Sequence, residues 1–393
     1  MKVLSFSIDN SPLLDIEGHA KRWHSRMGKY VDRMDVIVEM KEKSNIRQRY
    51  IADNVRILPV YAPHPALYSI IAYKRALDEH KRNKYDLITT EDPFRAGFAA
   101  WLFKRKTGAA VNIEYHNDTF FNIDWINERP VSHRVYILAG KMAVRMADSI
   151  RCVNRKHETE LRKLCSKDRE KPIEIIPVPT KFYDKEIHGG KAREIRRKIC
   201  KKEDDVIILF AGRLVPVKKV NELIGVFAEI RKKYMNTHLL IVGDGKEKKP
   251  LMELAEKLGS GGIRFTGFVS EDEVFAYYGA CDIFVNPAHI EPYGRVYGEV
   301  MSAFKPIVAT TGNGAVEDKF CVHEKNSLII TPGNLDELRD SLIRLIKDRN
   351  LRGRLGKDGL TTVREKFDYD TSLKIVRDLW AKTVERSLIT PVT

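Results

Sequence analysis

The strongest constraint on this 393-residue chain is an alternation that runs through most of its length. Short β-rich apolar segments alternate with helical stretches. In the first half the segments are KVLSFSI, MDVIVEM, VRILPV, YDLITT, AAVNIEY, SIRCVN and IEIIPV. Between them lie HAKRWHSRMGKYV, LYSIIAYKRALDEHKR, PFRAGFAAWLFKRK and SHRVYILAGKMAVRMA, among others. A strand that returns through a helix to a parallel neighbour produces this pattern.

Residues 181–205 interrupt it with a Gly-Gly pair and a dense run of charge, which predicts a basic linker. A second series then begins: VIILFAG, HLLIVGD, GIRFTGF, CDIFVNP, PIVAT and SLIITP, again with helical stretches between. These runs are apolar throughout, as in a parallel sheet covered on both faces. Ser270 and Glu273 have the spacing of a capping box at the head of one helix. The expectation is an α/β chain with two consecutive Rossmann-like, doubly wound domains, over 1–180 and 206–370. A last helix over 371–393 would be free to cross back to the first. Length alone favours two domains. In doubly wound sheets ligands bind at the carboxyl ends of the strands, so the cleft between two such sheets is the expected site.

Composition narrows the partners. Of the net charge of +15, nearly all lies early: residues 1–200 hold 39 Lys and Arg against 26 acidic residues, and the rest hold 30 against 28. A basic first half suits an anionic membrane surface or a phosphate-bearing acceptor, or is simply a solvated face. No RNP-type or helix-turn-helix signature accompanies it, so nucleic acid is not favoured. No apolar run approaches the roughly 20 residues that span a bilayer. The start reads as a buried strand, not a secretory signal. The five cysteines are scattered with no C-x-x-C pair. This predicts neither a disulfide framework nor a zinc site, and a cytoplasmic setting.

Two stretches carry chemistry. In ILFAGRLVPVKKVNELI a strand ends and Arg213 and Lys218 follow before a helix, two cations where a ligand is expected. The alternative is a pair of surface cations in a loop. In HIEPYGRVYGEVMSAF a helix is expected to begin near Tyr293 or Gly294, with its free amides forming an anion site. Pro292 keeps Glu291 out of that helix, and Glu299 projects from its second turn. A diphosphate at the helix start, with a carboxylate for hydroxyls on either side, matches a nucleotide diphosphate sugar. The alternative is a dipole Glu and a surface Glu.

GRLVPVKK, VGDG, FTGFVS and EPYGRVYGEVMSAFKPIVAT occur in that order over about 206–335. The chain here resembles the retaining glycosyltransferases of family 4, also known as glycosyl transferases group 1, with the GT-B fold. The first half resembles them only loosely, through YDLITTEDPF, EYHND and ADSIRCVN. The resemblance implies that Arg213 and Lys218 hold the donor diphosphate. It implies that Glu299 binds ribose hydroxyls and that Glu291 lies by the transferred sugar. Pro292, Tyr293 and Gly294 would supply backbone donors, and Val269 would read the base. His116 would face the reacting sugar, with Asp118 a weaker candidate from the same loop; a lone His is otherwise more often structural. Two departures fall on the acceptor side or hinge: SIDNSPLLDIEG replaces the family's Gly-Gly loop, leaving Asp9 and Asn10 as candidates, and PVPTKF replaces PNG.

The implied activity transfers a hexosyl or N-acetylhexosaminyl group from a UDP- or GDP-sugar to an acceptor hydroxyl, a lipid-linked or cell-surface glycan precursor among the candidates. Retention, no metal and no further cofactor are part of the same expectation, as is a place on the inner face of a membrane. Two other readings stand beside it: a nucleotide-sugar 2-epimerase of the same fold, and a non-catalytic module that binds a sugar nucleotide or nucleic acid. Nothing in the sequence matches a Walker loop, a G-x-G-x-x-G fingerprint or an H-E-x-x-H motif.

Overall fold

Every apolar run named above forms a strand. The computed structural model describes residues 1–393 except 15–18, 44, 117–119, 122, 167, 169, 290, 292, 293, 313, 367, 368 and 390–393. The chain divides into two units, Met1–Pro177 with Asp370–Thr393, and Val178–Tyr369.

The first unit runs β1 (Lys2–Ser7), α1 (His19–Met27), β2 (Arg33–Met40), β3 (Arg49–Ala52), β4 (Val55–Tyr61), α2 (Tyr68–Asn83), β5 (Leu87–Thr90), α3 (Arg95–Thr107), β6 (Ala110–Tyr115), α4 (Ile123–Glu128), α5 (Pro130–Met146), β7 (Ser149–Cys152), α6 (Arg155–Leu164) and β8 (Ile173–Ile175). Its sheet order is β3-β4-β2-β1-β5-β6-β7-β8. All pairs are parallel except β3 with β4. Strand β3 was not expected: it is a half-exposed edge strand of four residues, RYIA, without the apolar run that marks the others. The chain builds from β1 toward one edge, then returns to the other side of β1 with β5. The reversal therefore lies between β1 and β5, where Val3 faces Leu87 and Phe6 faces Thr90. Leu4, Phe6, Ile37, Leu58, Ile88, Ile113 and Ile150 form the buried centre.

The second unit runs α7 (Lys185–Ile199), β9 (Val206–Ala211), α8 (Val220–Lys233), β10 (Thr237–Val242), α9 (Lys248–Leu258), β11 (Ile263–Gly267), α10 (Glu271–Ala280), β12 (Ile283–Asn286), α11 (Arg295–Ser302), β13 (Ile307–Thr310), α12 (Gly314–Glu317), β14 (Ser327–Ile330), α13 (Leu335–Lys347) and α14 (Arg349–Lys366). Its all-parallel sheet has the order β11-β10-β9-β12-β13-β14. The reversal here lies between β9 and β12. Ser270 and Glu273 form the expected capping box on α10.

Residues 181–205 are not a linker. Most of them form α7, which packs on α10 within the second unit. Asp184 caps α7 through the amides of Glu186 and Ile187, and His188, Ala192 and Ile199 are buried beneath a charged outer face. The charge run is that outer face, and its density hid the helical pattern.

The last helix, α15 (Tyr369–Ile389), belongs to the first unit. Trp380 is fully buried there and donates from Nε1 to Asn112 Oδ1 at 3.2 Å. Thr383 and Ser149 share a hydroxyl hydrogen bond, and Arg386 pairs with Asp168 at 2.8 Å.

Candidate functional site

In doubly wound sheets the ligand crevice opens where strand order reverses, beyond the carboxyl ends of the two strands. In the second unit those ends are Ala211 of β9 and Asn286 of β12. The loop after β9 is locked by its neighbour. Gly212 N donates to Val242 O at 3.0 Å, and Leu214 N donates to Asp244 O at 2.9 Å. A Cβ on Gly243 would lie 1.9 Å from the Gly212 carbonyl oxygen. The glycines of VGDG thus permit one backbone to touch another. This fixes Arg213, whose side chain is exposed, at the mouth of the reversal.

A single 3-10 turn over Pro216–Lys218 follows and turns Lys218 toward the loop after β12. Lys218 Nζ donates to Glu291 Oε2, and both side chains are largely buried. Asn286 Nδ2 donates to the same Glu291 oxygen at 3.3 Å and to the buried Tyr297 hydroxyl at 3.0 Å. An ammonium has three donors, so Lys218 keeps two for a ligand. Gly294, at φ 71°, is the N-cap of α11 and has no side chain of its own to cap the helix amides. An added Cβ there would meet the Tyr297 ring at 2.5 Å and Glu291 Cγ at 3.0 Å. Helix α11 starts at Arg295, just past the expected point. Pro292 and Tyr293 lie outside the described residues.

Glu299 is on the same helix in a separate group. It is 5% exposed, accepts from the Tyr278 hydroxyl at 2.9 Å, and faces Arg295 at 3.6 Å. Burial, with Glu299 alongside, pushes the Tyr278 phenol well above its usual value, so it remains a donor. Val269 is half-buried between β11 and α10. Asn286, Tyr297 and Tyr278 were missed from sequence, although a lone Asn closing the run IFVN is a readable signal.

His116 belongs to the first unit, just after β6. Its Nε2 is 2.8 Å from Glu114 Oε2, which also accepts from Arg151 Nη1 at 2.9 Å. Burial would push the Glu114 carboxyl up, but Arg151 and His116 more than offset this and hold it below its usual range. Asp118 lies outside the described residues.

Residues 191–361 match the family described as Glycosyl transferases group 1. Over those residues the chain is similar to that family. Arg213, Lys218, Val269, Glu291, Gly294 and Glu299 all fall within them. An uncharacterised glycosyltransferase of Methanocaldococcus jannaschii is 32% identical to the chain over 193 residues, 49% of this chain and 49% of that protein. The α-monoglucosyldiacylglycerol synthase of Acholeplasma laidlawii is 29% identical over 178 residues, 45% of this chain and 44% of that protein. The chain thus spans about half the length of these two relatives. The structure of a sucrose-phosphate synthase from Thermosynechococcus elongatus superposes with a TM-score of 0.81 at 19% identity, covering 97% of this chain and 98% of that one. That likeness shows the GT-B fold, with two Rossmann-like units.

Proposed function

We propose that this protein transfers a sugar, with retention, from a nucleotide diphosphate sugar to an acceptor hydroxyl. The observation that carries this reading is the contact of Lys218, Glu291 and Asn286 at the β9–β12 reversal, beside the start of α11 and within the residues that match the glycosyl transferases group 1 family. As the bond between the anomeric carbon and the phosphate oxygen breaks, charge gathers on the leaving diphosphate. In this reading Arg213, Lys218 and the first amides of α11 stabilise it. Glu291 holds hydroxyls of the transferred sugar, and Glu299, kept in place by Tyr278, holds the ribose. The acceptor oxygen attacks on the face the diphosphate leaves, and its proton passes to a departing phosphate oxygen.

The acceptor is proposed to be presented at an anionic lipid surface. Helix α5 supports this. Val131 is 80% exposed, Val135 and Leu138 continue the same stripe, and Arg134 and Arg145 are exposed on the same helix. An apolar stripe with basic residues suits the headgroup region of a membrane. One relative is named as the synthase of a glycosyldiacylglycerol. Among the described residues no helix is long and apolar enough to cross a membrane.

A melting-temperature screen with UDP, GDP and their sugars tests the donor. One nucleotide should raise the midpoint, and Glu299→Ala should weaken its binding by about 1.5–3 kcal/mol, the worth of a charged hydrogen bond. Unchanged affinity in that variant would remove Glu299 from the site. Conversion of the donor to an epimer without any acceptor would replace the transferase reading by an epimerase.

A further inference from the structure

The second sheet ends at β11, which pairs with β10 on one side; among the described residues no strand pairs with its other edge. Leu239 N donates to Gly262 O at 2.9 Å, and Leu239 stands opposite Ile263 in the parallel register. Backbone polar groups alternate between the two sides of a strand in such a ladder. Gly262 and Arg264 therefore turn theirs to β10, and Ile263 and Phe265 turn theirs outward. An edge of this kind is a template for another strand, and proteins usually blunt it with proline, lysine or a covering element. Strand β11, IRFTG, has neither proline nor lysine. Its one charged side chain, Arg264, is drawn to α7, where Nη1 donates to Lys198 O at 3.0 Å.

The face beside this edge is apolar in the middle and charged toward its ends. Ile263 and Phe265 are half-buried on the second unit's core, and with Met252 and Ala255 they line a groove of about 840 Å³ between β11 and α9. Met252 is 48% exposed, and Phe268, just past the strand, is 81% exposed. Lys248 Nζ lies 3.2 Å from where a Cβ on Gly267 would stand, and α9 ends at Leu258, shortly before β11 begins at Ile263. Helix and strand thus run side by side in opposite directions. Rises of about 1.5 Å per helical residue and about 3.3 Å per strand residue set Met252 level with Phe265. The charges that line the groove divide at that level: Lys246, Lys248 and Lys249 precede Met252, and Glu253 and Glu256 follow it.

That order decides the partner. A two-fold axis normal to the sheet at Phe265 sets β11 antiparallel to its copy, keeps both copies of α9 on one face and reverses one helix against the other. The basic end of each groove then meets the acidic end of the other, with Lys249 opposite the partner subunit's Glu256 and Met252 at the axis. Arg264 falls opposite the partner subunit's Thr266, so the two arginines do not face each other. A foreign peptide of one charge would satisfy one block and oppose the other. We propose that β11 and α9 form a self-complementary surface through which two copies of this chain associate, joining their six-stranded sheets edge to edge. The surface lies apart from the donor residues, and the proposal does not depend on the transferase reading.

Sedimentation velocity of the full chain over a range of concentrations tests it. The wild type should pass from monomer to dimer. Lys249→Glu and Glu256→Lys each set like charges together at both ends of the interface, and each should raise the dimer dissociation constant at least tenfold. The double variant Lys249→Glu/Glu256→Lys restores opposite charges and should return to within threefold of the wild type, which separates lost pairing from lost folding. Hydrogen exchange reads the strand itself: where the wild type is dimeric, residues 261–268 should exchange more slowly than in Lys249→Glu at the same concentration. A monomer at every concentration, a dimer indifferent to the single reversals, a double variant no tighter than the single ones, or equal exchange over 261–268 would each overturn the proposal.

Discussion

Glu91 and Glu291 are both carboxylates at a reversal of strand order, yet their neighbours differ. Glu291 has Lys218 against it. Glu91 has the Ser7 hydroxyl, the His24 imidazole and other acids, and its raised carboxyl links stability to pH. A Glu raised in the fold stabilises fully below its ordinary 4.5, and that contribution is lost as pH rises through about 8. A lowered His acts in reverse, adding stability until its ordinary 6.5 is passed. Between pH 6.5 and about 8 only the Glu91 loss remains. Over that window the wild type should lose stability relative to Glu91→Gln in denaturant titrations, with a slope no steeper than about 1.4 kcal/mol per pH unit. Gly294→Ala should cost at least about 1–2 kcal/mol, because the left-handed backbone is strained with a Cβ and that Cβ meets Tyr297 and Glu291; the nucleotide melting shift should fall with it. At this scale the sequence was legible where motif order fixed the neighbours: Lys218 and Glu291 do meet. Ser7, His24 and Glu91 were not read as a group, because lone polar residues far apart in the chain reveal their contact only once β1 and β5 are adjacent.

Elements were legible in proportion to how completely they are buried. The strands between covering helices show as unbroken apolar runs, and the capping box of α10 shows in its spacing. Strand β3 escaped notice because an edge strand need not be apolar on either face. Helix α7 did so because its solvent face holds most of its residues. Helix α5 offers a different kind of test, since its outer stripe has no part in the core. A Val135→Glu/Leu138→Glu double variant should sediment less with anionic vesicles, while its nucleotide-induced melting shift stays at the wild-type value. Equal sedimentation would remove α5 from the membrane proposal.

For the whole molecule, the informative feature is that the first unit is completed by the end of the chain. Among the described residues Trp380 is the largest fully buried side chain, and its indole reaches Asn112 in the centre of the first sheet. Trp380→Ala should destabilise that unit by about 3–5 kcal/mol, seen as a lowered denaturant midpoint of the transition reported by residues 1–177. The excess charge of the first 200 residues had already set the two halves apart in character, but charge carries no information about which sheet a distant helix will cover. The consequence concerns synthesis. A ribosome delivers all of residues 178–369 before the helix that closes the earlier unit, so the unit begun first is finished last. Until then its sheet must wait with the seat of Trp380 uncovered, and a nascent chain stalled before residue 370 would offer that seat to chaperones.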